Sequence, residues 1–243
     1  MEFRQFEELV FESMLKDDVP HEELRDYARQ QYFEMRRLMA YYRCAIMEIE
    51  TKCNVINEDF SYRYERNPIQ SIKSRLKTPQ SIFDKLKRRA YPISAASIEA
   101  NLFDVAGVRV ICSFVDDVYH IADALIRQDD ITLIRRKDYI THPKENGYRS
   151  LHLIVSVPIF LTNRKKMMNV EIQLRTIAMD FWASLEHQLR YKKDNVFTEE
   201  MAAELKQCAD VSTELDNLMN GLCLKIHAED GCGLTPPGDD AGR

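Results

Sequence analysis

At 243 residues the chain has the length of one large domain, or of a core domain with helical additions, and 45% hydrophobic with 30% charged residues suits a globular protein able to bury a sizeable core. A formal net charge of -5 speaks against a general electrostatic grip on nucleic acid or an anionic membrane. No apolar run approaches membrane-spanning length, and the first residues mix Phe3 and Phe6 with Glu2, Arg4, Glu7 and Glu8, without the charged-then-apolar order of a signal peptide.

Phe3, Phe6, Val10 and Met14 fall at helical spacing and predict a helix over residues 2–16. A second helix, with Pro20 in its first turn, is expected to run to about Lys52. Along it Leu24, Ala28, Gln31, Met35, Leu38, Tyr42, Ala45 and Ile49 recur at alternating four- and three-residue steps, the seam of a helix lying against another helix. Residues 53–68 lose the pattern and end in Asn67-Pro68, which predicts a connector.

From Ile72 the period changes. Ile72, Ser74 and Leu76 alternate with Lys73, Arg75 and Lys77, a strand with one cationic face. Thr78-Pro79 then opens a helix on which Ser81, Lys85 and Arg88 share a face while Ile82, Phe83 and Leu86 turn inward. Seven basic residues between Lys73 and Arg89 stand against one acid, Asp84, so an acidic protein carries a local anion site. A helix N-terminus, a hydroxyl and the cations Arg75, Lys77, Lys85 and Arg88 together make a polyphosphate cradle without a Gly-rich loop. A solvated basic face is the alternative.

Residues 97–103 read as a short helix leading to Asp104 and a buried strand over residues 105–112, in which Gly107 marks a bulge or a close backbone approach. Asp104 is a candidate Mg²⁺ ligand, because hard cations take carboxylate oxygens, or else a turn residue. A helix over Asp116–Arg127 turns Val118, Ile121, Ala122 and Leu125 inward, and a strand follows over Ile131–Lys137.

Pro143 to His152 concentrates an Asn146-Gly147 turn, the cations Lys144 and Arg149, Tyr148 and His152 in ten residues. Ser150 to Val157 continues as a strand with Leu151, Leu153, Val155 and Val157 on one face and His152 on the other. Cations for phosphates and a ring for a base suit a nucleotide; a basic hairpin whose Tyr148 merely packs is the alternative. The strand Asn169–Arg175 puts Val170, Ile172 and Leu174 on one side and Glu171, Gln173 and Arg175 on the other, as the floor of a site. A helix over Thr176–Lys193 carries Met179, Trp182, Leu185 and Leu189 as its apolar stripe.

Strands interleaved with helices from about Ile69 to Lys193 make the core α/β or α+β, with a strand order the sequence leaves open. A last helix, Thr198–Ile226, shows a heptad seam through Met201, Leu205, Cys208, Ser212, Leu215, Met219, Leu222 and Ile226, which suggests self-association. The expected division is a helical region 1–66, a catalytic domain 67–195, an oligomerisation helix 196–228 and a disordered tail 229–243. Six cysteines, Cys44, Cys53, Cys112, Cys208, Cys223 and Cys232, lack a CxxC pair or histidine spacing, which argues against zinc and for reduced thiols in a cytosolic protein.

Four motifs in this order, Arg75-x-Lys77-x-x-x-Ser81-x-x-x-Lys85, Asp104-Val-Ala-Gly-Val-Arg109, Asp138-Tyr-Ile through Asn-Gly-Tyr148-Arg-Ser-Leu-His152, and Val170-Glu171-Ile-Gln173-Leu-Arg175-Thr through Glu186-His187, resemble the synthetase domain of the RelA/SpoT homologues. The resemblance covers roughly residues 20–225. Without a His-Asp dipeptide, the mark of the hydrolase relatives, the chain is most similar to the small alarmone synthetases. The resemblance implies a mixed sheet of about five strands in a nucleotidyltransferase-like fold, a homotetramer built on terminal helices, and transfer of the β,γ-pyrophosphate of ATP to the 3'-oxygen of GDP or GTP.

It also implies residue roles. Arg75, Lys77, Ser81, Lys85 and Arg88 would lie on the ATP phosphates, with Arg75 and Arg109 bracketing adenine. Asp104 and Glu171 would hold Mg²⁺, and Glu171 would take the 3'-hydroxyl proton. Tyr148 would stack on guanine, with Lys144, His152 and Gln173 lining the acceptor side. Competing functions are a pyrophosphotransferase acting on tRNA ends or adenine nucleotides, and a non-catalytic guanosine nucleotide sensor. A sensor would have lost Asp104 or Glu171, and both are present. A plain nucleotidyltransferase would show a Gly-Ser pair before an Asp-x-Asp strand, and none occurs.

Overall fold

The computed structural model describes residues 21–190 and 197–229. The helix expected over residues 2–16 and, apart from its first residue, the tail expected over 229–243 lie outside the described residues. In order the elements are α1 (His21–Tyr64), β1 (Ile69–Leu76), α2 (Pro79–Arg88), α3 (Ala95–Asn101), β2 (Ala106–Cys112), α4 (Val115–Ile126), β3 (Thr132–Asp138), β4 (Leu151–Phe160), β5 (Lys165–Thr176), α5 (Ile177–Arg190) and α6 (Glu199–Glu229). The fold is α+β: a mixed five-stranded sheet ordered β1-β2-β5-β4-β3, in which β2 and β5 run parallel and every other neighbouring pair is antiparallel.

Strict alternation gives that sheet two unlike faces. One carries Val108, Val110, Leu151, Leu153, Val155, Val170, Ile172 and Leu174, all buried, and α1 and α4 pack against it. The seam of α1 is apolar as expected, with Ala28, Met35, Leu38, Tyr42, Ala45 and Ile49 buried. Its partner, however, is chiefly the sheet rather than another helix, because the sheet offers the larger apolar surface. Residues 53–64 are not a connector: α1 continues through them. Apolar residues thin out there, so the pattern fades, but Cys53 stays buried, Phe60 stacks on Tyr64 with centroids 4.4 Å apart, and Arg63 pairs with Asp59 at 3.1 Å. Glu65, at φ 52°, turns the chain out of the helix. Since α1 and the sheet share one continuous core, the boundary near residue 66 does not separate two cores.

Gly107 makes no bulge, for the ladder runs through it in register with Arg75 on one side and Glu171 on the other. The stripe expected on α5 is half right. Met179 and Trp182 are buried, but Leu185 and Leu189 are exposed. Likewise only Leu205 of the apolar heptad residues on α6 is buried, packed with Ala209 and Trp182, and Met201, Leu215, Met219, Leu222 and Ile226 face outward.

Candidate active site

The second face of the sheet gathers the polar residues. The pairing sets Lys73, Arg109, Gln173, His152 and Lys137 in one row across the strands, and Arg75, Gly107, Glu171, Ile154 and Arg135 in the next. With no side chain on Gly107, the middle of the second row is open between Arg75 and Glu171. A cavity of about 320 Å³ lies on this face, lined among others by Lys85, Arg89, Asp104, Arg135, Lys137, Tyr139, Lys144, His152 and Glu171. A larger one, about 1210 Å³, lies between α5 and α6 among Ile177, Phe181, Val211, Leu215 and Met219. Its lining is mostly apolar, so the smaller, charged cavity is the one suited to phosphates.

Asp104 precedes β2 and is ringed by cations: its Oδ2 accepts from Lys77 Nζ and Lys85 Nζ, each at 2.6 Å, while its buried Oδ1 has no hydrogen-bond partner. Burial pushes this carboxyl up, but the two lysines outweigh burial and hold it below the usual aspartate value. Lys77 in turn is lowered, by burial and by the charges of Lys85 and Arg75, against the pull of Asp104. Lys85 reaches Asp104 because Thr78 caps α2, accepting from Ser81 N at 3.3 Å, with Pro79 in the first turn. Ser81 is exposed beside that cap, its hydroxyl 2.9 Å from that of Thr78. Arg75 is exposed on β1; Arg88 is exposed on α2 and does not line the cavity, which Arg89 does.

Glu171 projects from β5 beneath His152, whose Nδ1 lies 3.6 Å from Glu171 Oε1, and Gln173 Nε2 donates to Oε2 at 3.3 Å. Burial raises this carboxyl, and the contacts with His152 and Gln173 more than offset that, leaving it below the ordinary glutamate value. His152 Nε2 is 2.8 Å from the Tyr148 hydroxyl, which also accepts Arg175 Nη2 at 2.6 Å. If the Tyr148 hydrogen goes to Nε2, the histidine proton sits on Nδ1, directed at Glu171. Arg175, Tyr148, His152 and Glu171 thus form one polar chain.

The turn that carries Tyr148 is held by Gly147 N donating to Lys144 O at 2.8 Å and by Tyr148 N donating to Asn146 Oδ1 at 3.2 Å. Gly147 has φ 87°, and a Cβ there would come within 2.5 Å of Ala209 Cβ on α6, so the position requires glycine both for its backbone and for its neighbour. Lys144 Nζ sits 4.7 Å from the Tyr148 ring centre and 4.9 Å from that of Tyr139. Tyr148 also packs against Trp182, Leu205 and Ala209, so it is a packed ring as well as a site residue. Arg109, on β2, donates to Asp180 Oδ1 at 3.2 Å.

Asp104, Lys85, Glu171, His152 and Lys144 therefore meet at one cavity. Arg75, Lys77, Arg109 and Gln173 stand on the same face, and Tyr148 borders it. Arg135, Lys137, Tyr139 and Asp180 are not among the expected site residues, and Arg89 enters from the basic run that ends on it. Arg135 and Lys137 lie on an edge strand whose residues are almost all exposed, so no apolar alternation marked which side faced the site.

Residues 74–196 match the family described as the region found in RelA/SpoT proteins. The sheet, its charged face and this match define the class: the chain belongs to the RelA/SpoT family. Within it, the chain is 43% identical over 185 residues to the GTP pyrophosphokinase YwaC of Bacillus subtilis (strain 168), covering 76% of this chain and 88% of that one. It is 35% identical over 187 residues to YjbM, a GTP pyrophosphokinase of the same organism (77% and 87% covered). The structure of small alarmone synthetase 2 from Bacillus subtilis superposes with a TM-score of 0.72 at 40% identity, over 79% of this chain and 99% of that one. Small alarmone synthetase 1 from the same species, bound to its product pppGpp, gives 0.70 at 35%, over 80% and 97%.

Proposed function

We propose that the chain transfers the β,γ-pyrophosphate of ATP to the ribose 3'-oxygen of GDP or GTP, releasing AMP and forming ppGpp or pppGpp. The observation that carries this reading is the pair Asp104 and Glu171 on one sheet face, set among Lys77, Lys85, Arg89, Arg135, Lys137 and Lys144. Phosphoryl-type transfer asks a protein chiefly to align its substrates and to neutralise charge, and this face does both. Arg75, Lys77, Ser81 and Lys85, with Arg88 exposed on α2, take the ATP phosphates, and Arg75 and Arg109 flank adenine. Tyr148 meets guanine, and Lys144, His152 and Gln173 line the acceptor side. Glu171, ionised at neutral pH, takes the 3'-hydroxyl proton.

A divalent cation fits the pair. Asp104 Oδ1 is buried without a partner, and two carboxylates suit Mg²⁺, which keeps several waters and substrate oxygens in its shell. When bound, the ion supplies charge neutralisation on the transferring group. The five described cysteines form no disulfide, and no described helix is long and apolar enough to cross a membrane; a cytoplasmic enzyme agrees with both.

Incubation of the protein with β,γ-labelled ATP and, separately, GDP, GTP, ADP or tRNA tests the acceptor. Label should move to guanosine nucleotides alone; label on ADP or tRNA would overturn the reading. Tyr148→Ala should raise KM for GDP while leaving KM for ATP near its original value, since stacking of a base on one aromatic is worth about 1–3 kcal/mol. An unchanged KM for GDP would remove Tyr148 from the acceptor site.

We also propose a homotetramer assembled through α6, whose Leu215 (55% exposed) and Leu222 (53%) belong to an apolar stripe too extensive for an exposed helix. Light scattering should give a tetramer for the original protein and a smaller species for Leu215→Glu. A monomeric original protein would contradict this.

A further inference from the structure

Asp180 stands in the first turn of α5, where Thr176 starts the helix by accepting Met179 N on its hydroxyl at 3.1 Å. Its Oδ1 accepts from Arg109 Nη1 and from Arg175 Nη1, each at 3.2 Å. Among the described residues it is the one carboxylate in ion-pair range of either arginine. The two guanidiniums come from β2 and β5, neighbouring parallel strands, and serve different sides. Arg109 belongs to the ATP side. Arg175, only 4% exposed, gives Nη2 to the Tyr148 hydroxyl at 2.6 Å and to Gln173 Oε1 at 3.1 Å.

We infer that Asp180 is a positioning residue for both nucleotides: one buried carboxylate oxygen fixes the arginine that meets ATP and, through Arg175, the tyrosine that meets the acceptor. This rests on the assignment of the two sides made above. Two guanidiniums this close repel, and after burial the Arg175 charge is the main influence lowering Arg109. The shared negative charge is what lets them stand side by side. Arg175 cannot be replaced in this by a point charge, because its planar fork spans Asp180 and Tyr148 at once. Without Asp180, Arg109 loses the carboxylate that holds it, and Arg175 keeps Tyr148 and Gln173 but loses the anchor that sets the angle of its fork.

The test measures kcat and both KM values for the original protein, Asp180→Asn and Arg175→Lys. Asparagine keeps the shape and one acceptor oxygen but not the charge, so KM for ATP and for GDP should each rise about tenfold, the scale of one charge-assisted hydrogen bond, with a smaller fall in kcat. Arg175→Lys should raise KM for GDP alone. If the original protein makes no product from ATP and GDP, the proposed activity fails. If it does, and Asp180→Asn lowers kcat with both KM values unchanged to within about twofold, Asp180 only supports the fold and the inference is wrong. Should Asp180→Asn not fold, Asp180→Glu, which keeps the charge and moves the oxygens, is read by the same criteria. In either case an unchanged KM for GDP in Arg175→Lys, or an equal rise for ATP, overturns the inference.

Discussion

Glu171→Gln is expected to fold, to bind both nucleotides and to lose turnover by about 10²- to 10⁴-fold, the usual share of a general base. The amide keeps the shape of the side chain and can still meet Gln173, but it cannot take a proton and is a poor ligand for a hard cation. Position makes the effect large. Glu171 lies in the row with Arg75 and next to the open place left by Gly107, with His152 3.6 Å away. Because its carboxyl is held below the ordinary value of 4.5, it is a carboxylate throughout the neutral range, and its protonation should reduce kcat/KM only as the pH falls below that value. AMP release measured beside a binding titration decides the matter. Near-normal turnover in the variant would remove Glu171 from the chemistry.

Asp104→Asn should be as damaging, and for two reasons. The Oδ1 atom that has no partner is lost as an anionic ligand, so turnover should collapse at ordinary Mg²⁺ concentrations and recover in part as Mg²⁺ is raised. At the same time Lys77 and Lys85, whose side chains are 15% and 17% exposed, lose the charge that holds their ammonium groups together. Removing one partner of a half-buried charge cluster should lower stability by about 1–3 kcal/mol. Thermal melting and a Mg²⁺ titration of activity read the two effects apart. Full activity with an unchanged metal requirement would show that Asp104 serves only the lysines.

The parts of the fold legible in the sequence were those in which one physical rule acted alone. Alternation fixed the inward face of β4 and β5, where Leu151, Leu153, Val155, Val170, Ile172 and Leu174 are buried as expected, and Thr78-Pro79 marked the start of α2. What escaped depended on neighbours distant in the chain. The end of α1 is sustained by local pairs and by Asn57, whose Oδ1 accepts from Ile69 N at 3.0 Å, and a fading apolar period hides both. Arg135 and Lys137 join the site only because β3 pairs with β4 in a register that sets them beside Ile154 and His152. An acid in a first helical turn, such as Asp180, reads from sequence as a complement to the helix dipole. Arg175 is a near neighbour at the end of β5, but Arg109 comes from β2, and the parallel pairing of β2 with β5 brings it to the same carboxylate.

Phosphorus NMR of the products formed from ATP and GDP tests the transfer of a pyrophosphoryl group to a guanosine 3'-oxygen. One AMP should form for each ppGpp, with the new diphosphate coupled to the ribose 3'-position. Formation of ADP with GTP, or of AMP with free pyrophosphate and unaltered GDP, would contradict it.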